Sequence, residues 1–330
     1  MITSPARKAP QLEKVRLAVG LKSTAQSLAL VGLAAGSFRE AGVDLEISGM
    51  ETAGPAGIKG LVEGDWDIAE FGAVPVVQWA LDGHDPLILL AAEPRPALFV
   101  VGAPDVIEPT HLRGREIGVL TAAGQTGYCA AQMLGRWGLS AADVSTVSLK
   151  RYPVIFEMLR AGRIAAGVLP ADYRFAAAPG EGLSALADLS EEFEFQGPVV
   201  VTTRRLAAAR PDLVSRIVEG YSRALHAFKT RPDVARAALR AHLDFTDEAG
   251  VARIHEFYAP RFSRIPRASL TGLRNVLNSF AAEYPAAASM GPQEVYDSTF
   301  LDALERGGLF DRLYDPASTS SGAKFTGTPS

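Results

Sequence analysis

Apolar residues recur along this chain in two alternating rhythms. Val15, Leu17 and Val19 sit at every second position, the spacing of a half-buried strand. After Ser23 and Thr24, which suit a helix cap, a helical run is expected over Ala25–Ala41 and closed by Gly42. The pattern then returns to strand in "VDLEI", to helix in "GPAGIKGLVEGDW", to strand in "DIAEF" and to helix in "AVPVVQWALDG". "LILLAAE" and "ALFVVG" follow as strands. A second series opens with the strand "REIGVL". It continues with a helix over Gln125–Trp137, the strand "VSTVSL", the helix "PVIFEMLRAG" and the strand "AAGVLP". "PVVVTTRRL" is the next strand, and from Pro211 to about Leu309 the chain reads as helix.

Strand alternating with helix implies an α/β fold with mostly parallel sheets and helices on both faces. Two such series predict two lobes. We expect residues 14–105 and 196–310 in lobe one, residues 106–195 in lobe two, a loose segment at 1–13 and a disordered tail at 311–330.

Composition narrows the function classes. The 330 residues are 48% hydrophobic and 21% charged, with a formal net charge of -4. No basic block points to nucleic acid, and no apolar stretch suffices to span a bilayer. The single cysteine, Cys129, leaves no intrachain disulfide or CxxC site. The five histidines show no ligand spacing, so neither a metal nor a cofactor is expected. GxSxG and a GxGxxG after the first strand are missing, which argues against a serine hydrolase or a dinucleotide enzyme. The first residues show no leader with an apolar core. The chain as written is therefore expected in the cytoplasm, or in the periplasm if Met1 is not the native start. A monomer is expected.

Four stretches together resemble a family. "FREAGVDLEI", "LVEGDWDIAEFGAVPVVQWALDGHDPLILLA", "LRGREIGVLTAAGQTGYCAAQMLGRWGLSAADV" and "RRLAAARPDLVSRIVEGYSRALHAFKTRPDVARAAL" occur in the order and spacing of the NMT1/THI5-like solute-binding proteins of ABC importers. The resemblance implies a two-lobed, type 2 periplasmic-binding-protein-like fold with a ligand cleft between the lobes. It implies a small anionic or zwitterionic ligand of the sulfonate, carboxylate or thiamine-precursor class, and a permease and an ATPase as partners. "AGRIAAG" departs from the family's "G-x-x-D-A" pattern. The same scaffold carries decarboxylases, desulfinases and a thiamine-pyrimidine synthase, so a cytosolic enzyme is the alternative. A ligand sensor is a third reading.

In such a fold the loops at the C-terminal ends of the strands face the cleft. Ser23 and Thr24 offer hydroxyls there, or simply cap a helix. By resemblance the desulfinases' nucleophilic cysteine falls close to Ser23, and its absence argues against that chemistry. Glu70 at a strand end is either a ligand contact, a general base with a raised pKa, or one half of a salt bridge. Glu93 and Arg95 either reach the cleft, where Arg95 would fork onto an oxyanion, or brace a proline-flanked loop. Glu70 and Arg95 are the catalytic candidates of the enzyme alternative.

The junction "LTAAGQTGYCAAQML" is the foremost site. Thr121, Gly124, Gln125, Thr126 and Gly127 place hydroxyls and free N–H groups where a strand hands over to a helix. Cys129 is either activated by that helix end or buried and inert. Tyr152 is placed to stack on a ring, and Asp172 either grips a ligand amine or caps the next helix.

Overall fold

The computed structural model describes residues 12–50, 55–177, 180–243 and 247–315. The loose segment and the tail expected from sequence fall largely outside these residues. Glu13 already belongs to the first strand, and the last helix runs on to Tyr314.

The ten strands are β1 (Glu13–Val19), β2 (Val43–Met50), β3 (Ile68–Gly72), β4 (Pro86–Leu90), β5 (Leu98–Gly102), β6 (Arg115–Val119), β7 (Val144–Ser148), β8 (Ala166–Pro170), β9 (Ser184–Asp188) and β10 (Pro198–Thr203). They form two five-stranded sheets of orders β2-β1-β3-β10-β4 and β7-β6-β8-β5-β9. β10 runs antiparallel to β3 and β4, and β5 antiparallel to β8 and β9. The other pairings, β1 with β2 and β3 and β6 with β7 and β8, are parallel. Each sheet is therefore mostly parallel with one reversed strand.

Each reversed strand is where the chain changes lobe. β5 lies on the far side of position 105 from the second series in sequence, yet it pairs in the second sheet. The crossings are the segment after β4, residues 91–97, and the segment after β9, residues 189–197. Gln196 Nε2 donates to the Glu93 carbonyl at 3.0 Å and ties the two crossings together.

Alternation within the strands sets the layers. Val15, Leu17 and Val19 of β1 face helices Leu28–Ala35 and Pro211–Thr230, while Ala18 turns to the opposite core with Val76, Leu273 and Val276. β4, β5 and β8 are buried along their whole length, as strands covered on both faces must be.

The single helix expected over Ala25–Ala41 is three pieces. Thr24–Gln26 is a 3-10 turn, Leu28–Ala35 is the helix, and Gly36 at φ +79° separates it from Ser37–Glu40. Only glycine adopts that left-handed backbone without cost. β9 was not expected. Its small residues, Ser184, Ala185 and Ala187, carry little strand signal, and its pairing with the buried β5 holds it in place.

Candidate functional site

A cavity of about 470 Å³ lies between the two sheets, lined by residues of both lobes. Lobe one contributes the turn after β1, with Ser23 and Gln26, and the first turn of helix Ala73–Leu81. Lobe two contributes the turn after β6 and the turn after β7, with Lys150 and Tyr152. Glu93, on the first crossing, and Tyr258, on helix Glu248–Arg261, complete the wall. Most of the remaining lining is apolar, including Leu21, Val74, Pro75 and Leu98.

The turn after β6 is built as the sequence suggests. Gly124 is the extended N-cap of helix Gln125–Arg136. The first intrahelical bond runs from the Tyr128 N–H to the Gly124 carbonyl, 3.0 Å, which leaves Gln125, Thr126 and Gly127 without an intrahelical acceptor. The Thr126 hydroxyl accepts from the Leu120 N–H at 2.9 Å and folds the turn back on its own strand. Gly127 lets the loop carbonyls of Thr121 and Ala122 lie against the helix, where any Cβ would collide with them. Thr121, Gly124, Gln125 and Thr126 line the cavity, whereas Gly127 supports them from behind.

Lys150 is the cation of the cavity wall and was not among the residues singled out from sequence. Its backbone stands at φ +64°, and it is the non-glycine residue with positive φ among the described residues. An L-residue held there stores about 1 kcal/mol of strain. Its N–H donates to the Leu120 carbonyl at 2.9 Å, which locks the β7 turn to the β6 turn. Lys150 and the first turn of helix Gln125–Arg136 thus border one space. Lys150 stands two residues before Tyr152, and the rule that puts strand C-termini at the cleft extends to it. The unusual φ is not legible in the sequence. Gln26, Gln78 and Tyr258 are further lining residues that sequence reasoning missed.

The predicted acidic residues separate into three roles. Glu93 lines the cavity and is 5% exposed. Its Oε1 accepts from the Ala97 N–H at 2.5 Å, and its Oε2 has no protein partner. Burial pushes its pKa up to about 8, with the Asp172 carboxyl adding to the rise. Asp172 is fully buried behind the wall. It accepts from the Thr24 N–H at 3.3 Å, from the Thr24 hydroxyl and from the Tyr258 hydroxyl at 3.4 Å. Burial raises its pKa to about 6 against the pull of those donors.

Glu70 points away from the cavity. Its Oε1 accepts from the Ala29 N–H at 2.9 Å, in the first turn of helix Leu28–Ala35, whose own N-cap Ser27 makes no side-chain cap. Glu70 therefore caps a helix from inside the sheet. Burial raises its pKa to about 7, and Tyr221 lies beside it. Arg95 is exposed, donates to the Ser190 carbonyl at 2.9 Å and lies 3.8 Å from Glu194, outside the main cavity. Cys129 is buried on the sheet, and burial drives its thiol far above the ordinary value.

Among the described residues no group of three or more His, Cys, Asp or Glu side chains is arranged to hold a metal ion. No helix among them is long and apolar enough to cross a membrane.

The family model described as NMT1/THI5 like matches residues 26–235, well over half of the chain. This chain belongs to the NMT1/THI5-like family. Its fold is the two-lobed type 2 periplasmic-binding-protein fold, with the cleft between the lobes. It is shared by the periplasmic aliphatic sulphonate binding protein SsuA of Escherichia coli, with TM-score 0.68 and 16% identity over 86% of this chain and 90% of that one. The alkanesulfonate-binding protein SsuA of Xanthomonas axonopodis pv. citri, bound to MOPS, aligns with TM-score 0.66 and 17% identity over 90% and 98%. A mutant of the desulfurization enzyme DSZB, in complex with biphenyl-2-sulfinic acid, aligns with TM-score 0.65 and 16% identity over 89% and 99%. No curated protein sequence matches the chain significantly.

Proposed function

We propose that this member of the family is the ligand-binding component of an ABC-type importer, closing its lobes on a small anionic metabolite. The observation that carries this reading is the rim of the cavity. There Lys150 and the uncapped first turn of helix Gln125–Arg136 converge from two adjacent strand ends of lobe two. A helix N-terminus carries a partial positive charge and free donors, and an ammonium beside it adds a full charge. The apolar walls suit the carbon skeleton of an organic acid and raise the strength of these contacts by excluding water. Sulfonates, which the two SsuA proteins bind, are the first class to test.

The enzyme alternative is left without the residues expected to carry it, since Glu70 and Arg95 do not reach the cavity. A permease and an ATPase follow as partners from the transport reading alone.

Titration calorimetry with a series of organic sulfonates and carboxylates tests the proposal. Binding is expected to weaken about tenfold or more in Lys150→Met and to weaken as salt is raised. Anion binding that is indifferent to Lys150→Met contradicts it.

A further inference from the structure

Another part of the same cavity wall has the opposite chemistry. Glu93 sits on the crossing between the lobes and lines the cavity, and its Oε2 is buried without a partner. The titratable groups around it come from every packed element: Asp172 from helix Ala171–Ala176, Asp188 at the end of β9, Tyr152 from the β7 turn, and Tyr258 and Arg261 from helix Glu248–Arg261. Arg95, which lines a smaller cavity with Glu93, is turned to the Ser190 carbonyl and Glu194, and the other cation is Arg261. It is directed at Asp188, 3.5 Å, and Glu191, 3.8 Å, with its guanidinium 3.7 Å from the Phe257 ring centre. Neither Glu93 nor Asp172 makes an ion pair among the described residues. The Gln125 amide and the Glu93 carboxyl flank Gly197, whose missing side chain leaves the space between them open: a Cβ there would lie 3.4 Å from one and 3.6 Å from the other.

A buried carboxyl beside a second carboxyl, with one unpartnered oxygen and no ion pair, is incomplete without a donor. We infer that Glu93 is the subsite for a cationic nitrogen of the ligand, so that the molecule bound here is a zwitterion with its acid group at Lys150 and its ammonium at Glu93. Tyr152 and Tyr258 supply aromatic and hydroxyl surface on the cavity wall near that nitrogen. The inference rests on the anion reading for the Lys150 end only. With its pKa pushed up to about 8 by burial, Glu93 is mostly protonated at pH 7 in the empty protein. When the ligand ammonium arrives, the carboxyl O–H bond breaks, the proton leaves to solvent, and the resulting carboxylate pairs with the ammonium.

The test uses three probes on the full chain: 3-aminopropanesulfonate, 1-butanesulfonate, which replaces the ammonium by a methyl group, and butylammonium. At pH 7, 3-aminopropanesulfonate is expected to bind about tenfold tighter than 1-butanesulfonate. Calorimetry in buffers of different ionisation enthalpy should show release of roughly one proton per molecule bound, given the raised pKa of Glu93. Glu93→Gln keeps the acceptor for the Ala97 N–H, so the variant is expected to fold, to lose the proton release and to bind both sulfonates alike. Equal affinity for the two sulfonates in the parent protein, or proton release that survives Glu93→Gln, overturns the inference and leaves the anion reading standing. Butylammonium binding with proton release, without binding of either sulfonate, sustains the Glu93 subsite and overturns the anion reading. No binding by any of the three overturns both.

Discussion

Asp172 of lobe two accepts hydrogen bonds from the backbone N–H and the hydroxyl of Thr24 in lobe one, and this contact is buried between the lobes. Each was expected as a ligand contact or as a helix cap. They instead fasten the lobes together beneath the cavity, with Tyr258 as the link to its wall. Thr24→Val removes the hydroxyl donor and keeps the shape. It is expected to cost about 1–3 kcal/mol in denaturant unfolding. It should also increase the radius of gyration of the empty protein in small-angle scattering, because lobe separation no longer breaks that bond. An unchanged scattering profile would show that the lobes are held elsewhere.

Lys150 sets function against stability. Its left-handed backbone suits glycine, so Lys150→Gly is expected to be more stable than Lys150→Ala by about 1 kcal/mol. Both variants are expected to lose anion affinity to the same degree. Thermal unfolding and calorimetry on the pair separate the backbone effect from the loss of charge.

Glu70 gives a pH signature. Its folded pKa, about 7, lies above the ordinary glutamate value, so the native state holds a proton that the unfolded chain has released. The stability this confers is complete below the unfolded value and is lost as pH rises through about 7. Glu93 and Asp172 act in the same direction, up to about 8 and about 6. The melting temperature of the empty protein should therefore fall between pH 5 and pH 8. Glu70→Gln retains the cap to Ala29 and should flatten part of that fall, with parent and variant closest at pH 5. Ligand affinity should be unaffected. A change in affinity would place Glu70 in the site after all.

Much of this fold is legible because large apolar residues alternate in β1, because β3 and β10 are short, mostly apolar runs, and because glycines mark the ends of several helices. The junction at residues 121–127 is legible in the same way: its glycines mark the handover from strand to helix, and Gly127 is demanded by a close backbone approach. The roles of the acids are not. Whether Glu70, Glu93 and Asp172 face the cavity, a helix end or the other lobe depends on which neighbouring element packs above each strand end. Local sequence does not encode that. Lys150 escaped notice because its left-handed backbone comes from the bond between its N–H and the β6 turn, a tertiary constraint. β9 escaped because pairing with β5, not its own residues, makes it a strand.

Gly127 has no room for a methyl group against the Thr121 and Ala122 carbonyls. Gly127→Ala is expected to push the turn away from the helix start and to weaken anion binding about tenfold or more, with a stability loss of about 1–3 kcal/mol. Calorimetry beside thermal unfolding measures both.

The central claim is that the cavity holds a small acid and returns it unchanged. The most direct measurement incubates the full chain, and Lys150→Met beside it, with a small-molecule extract, then follows the retained molecule by mass spectrometry over time. One retained compound bearing an acid group is expected, constant in mass for hours, and lost from Lys150→Met. A retained compound with no acid group, or one replaced over time by a lighter product, contradicts it.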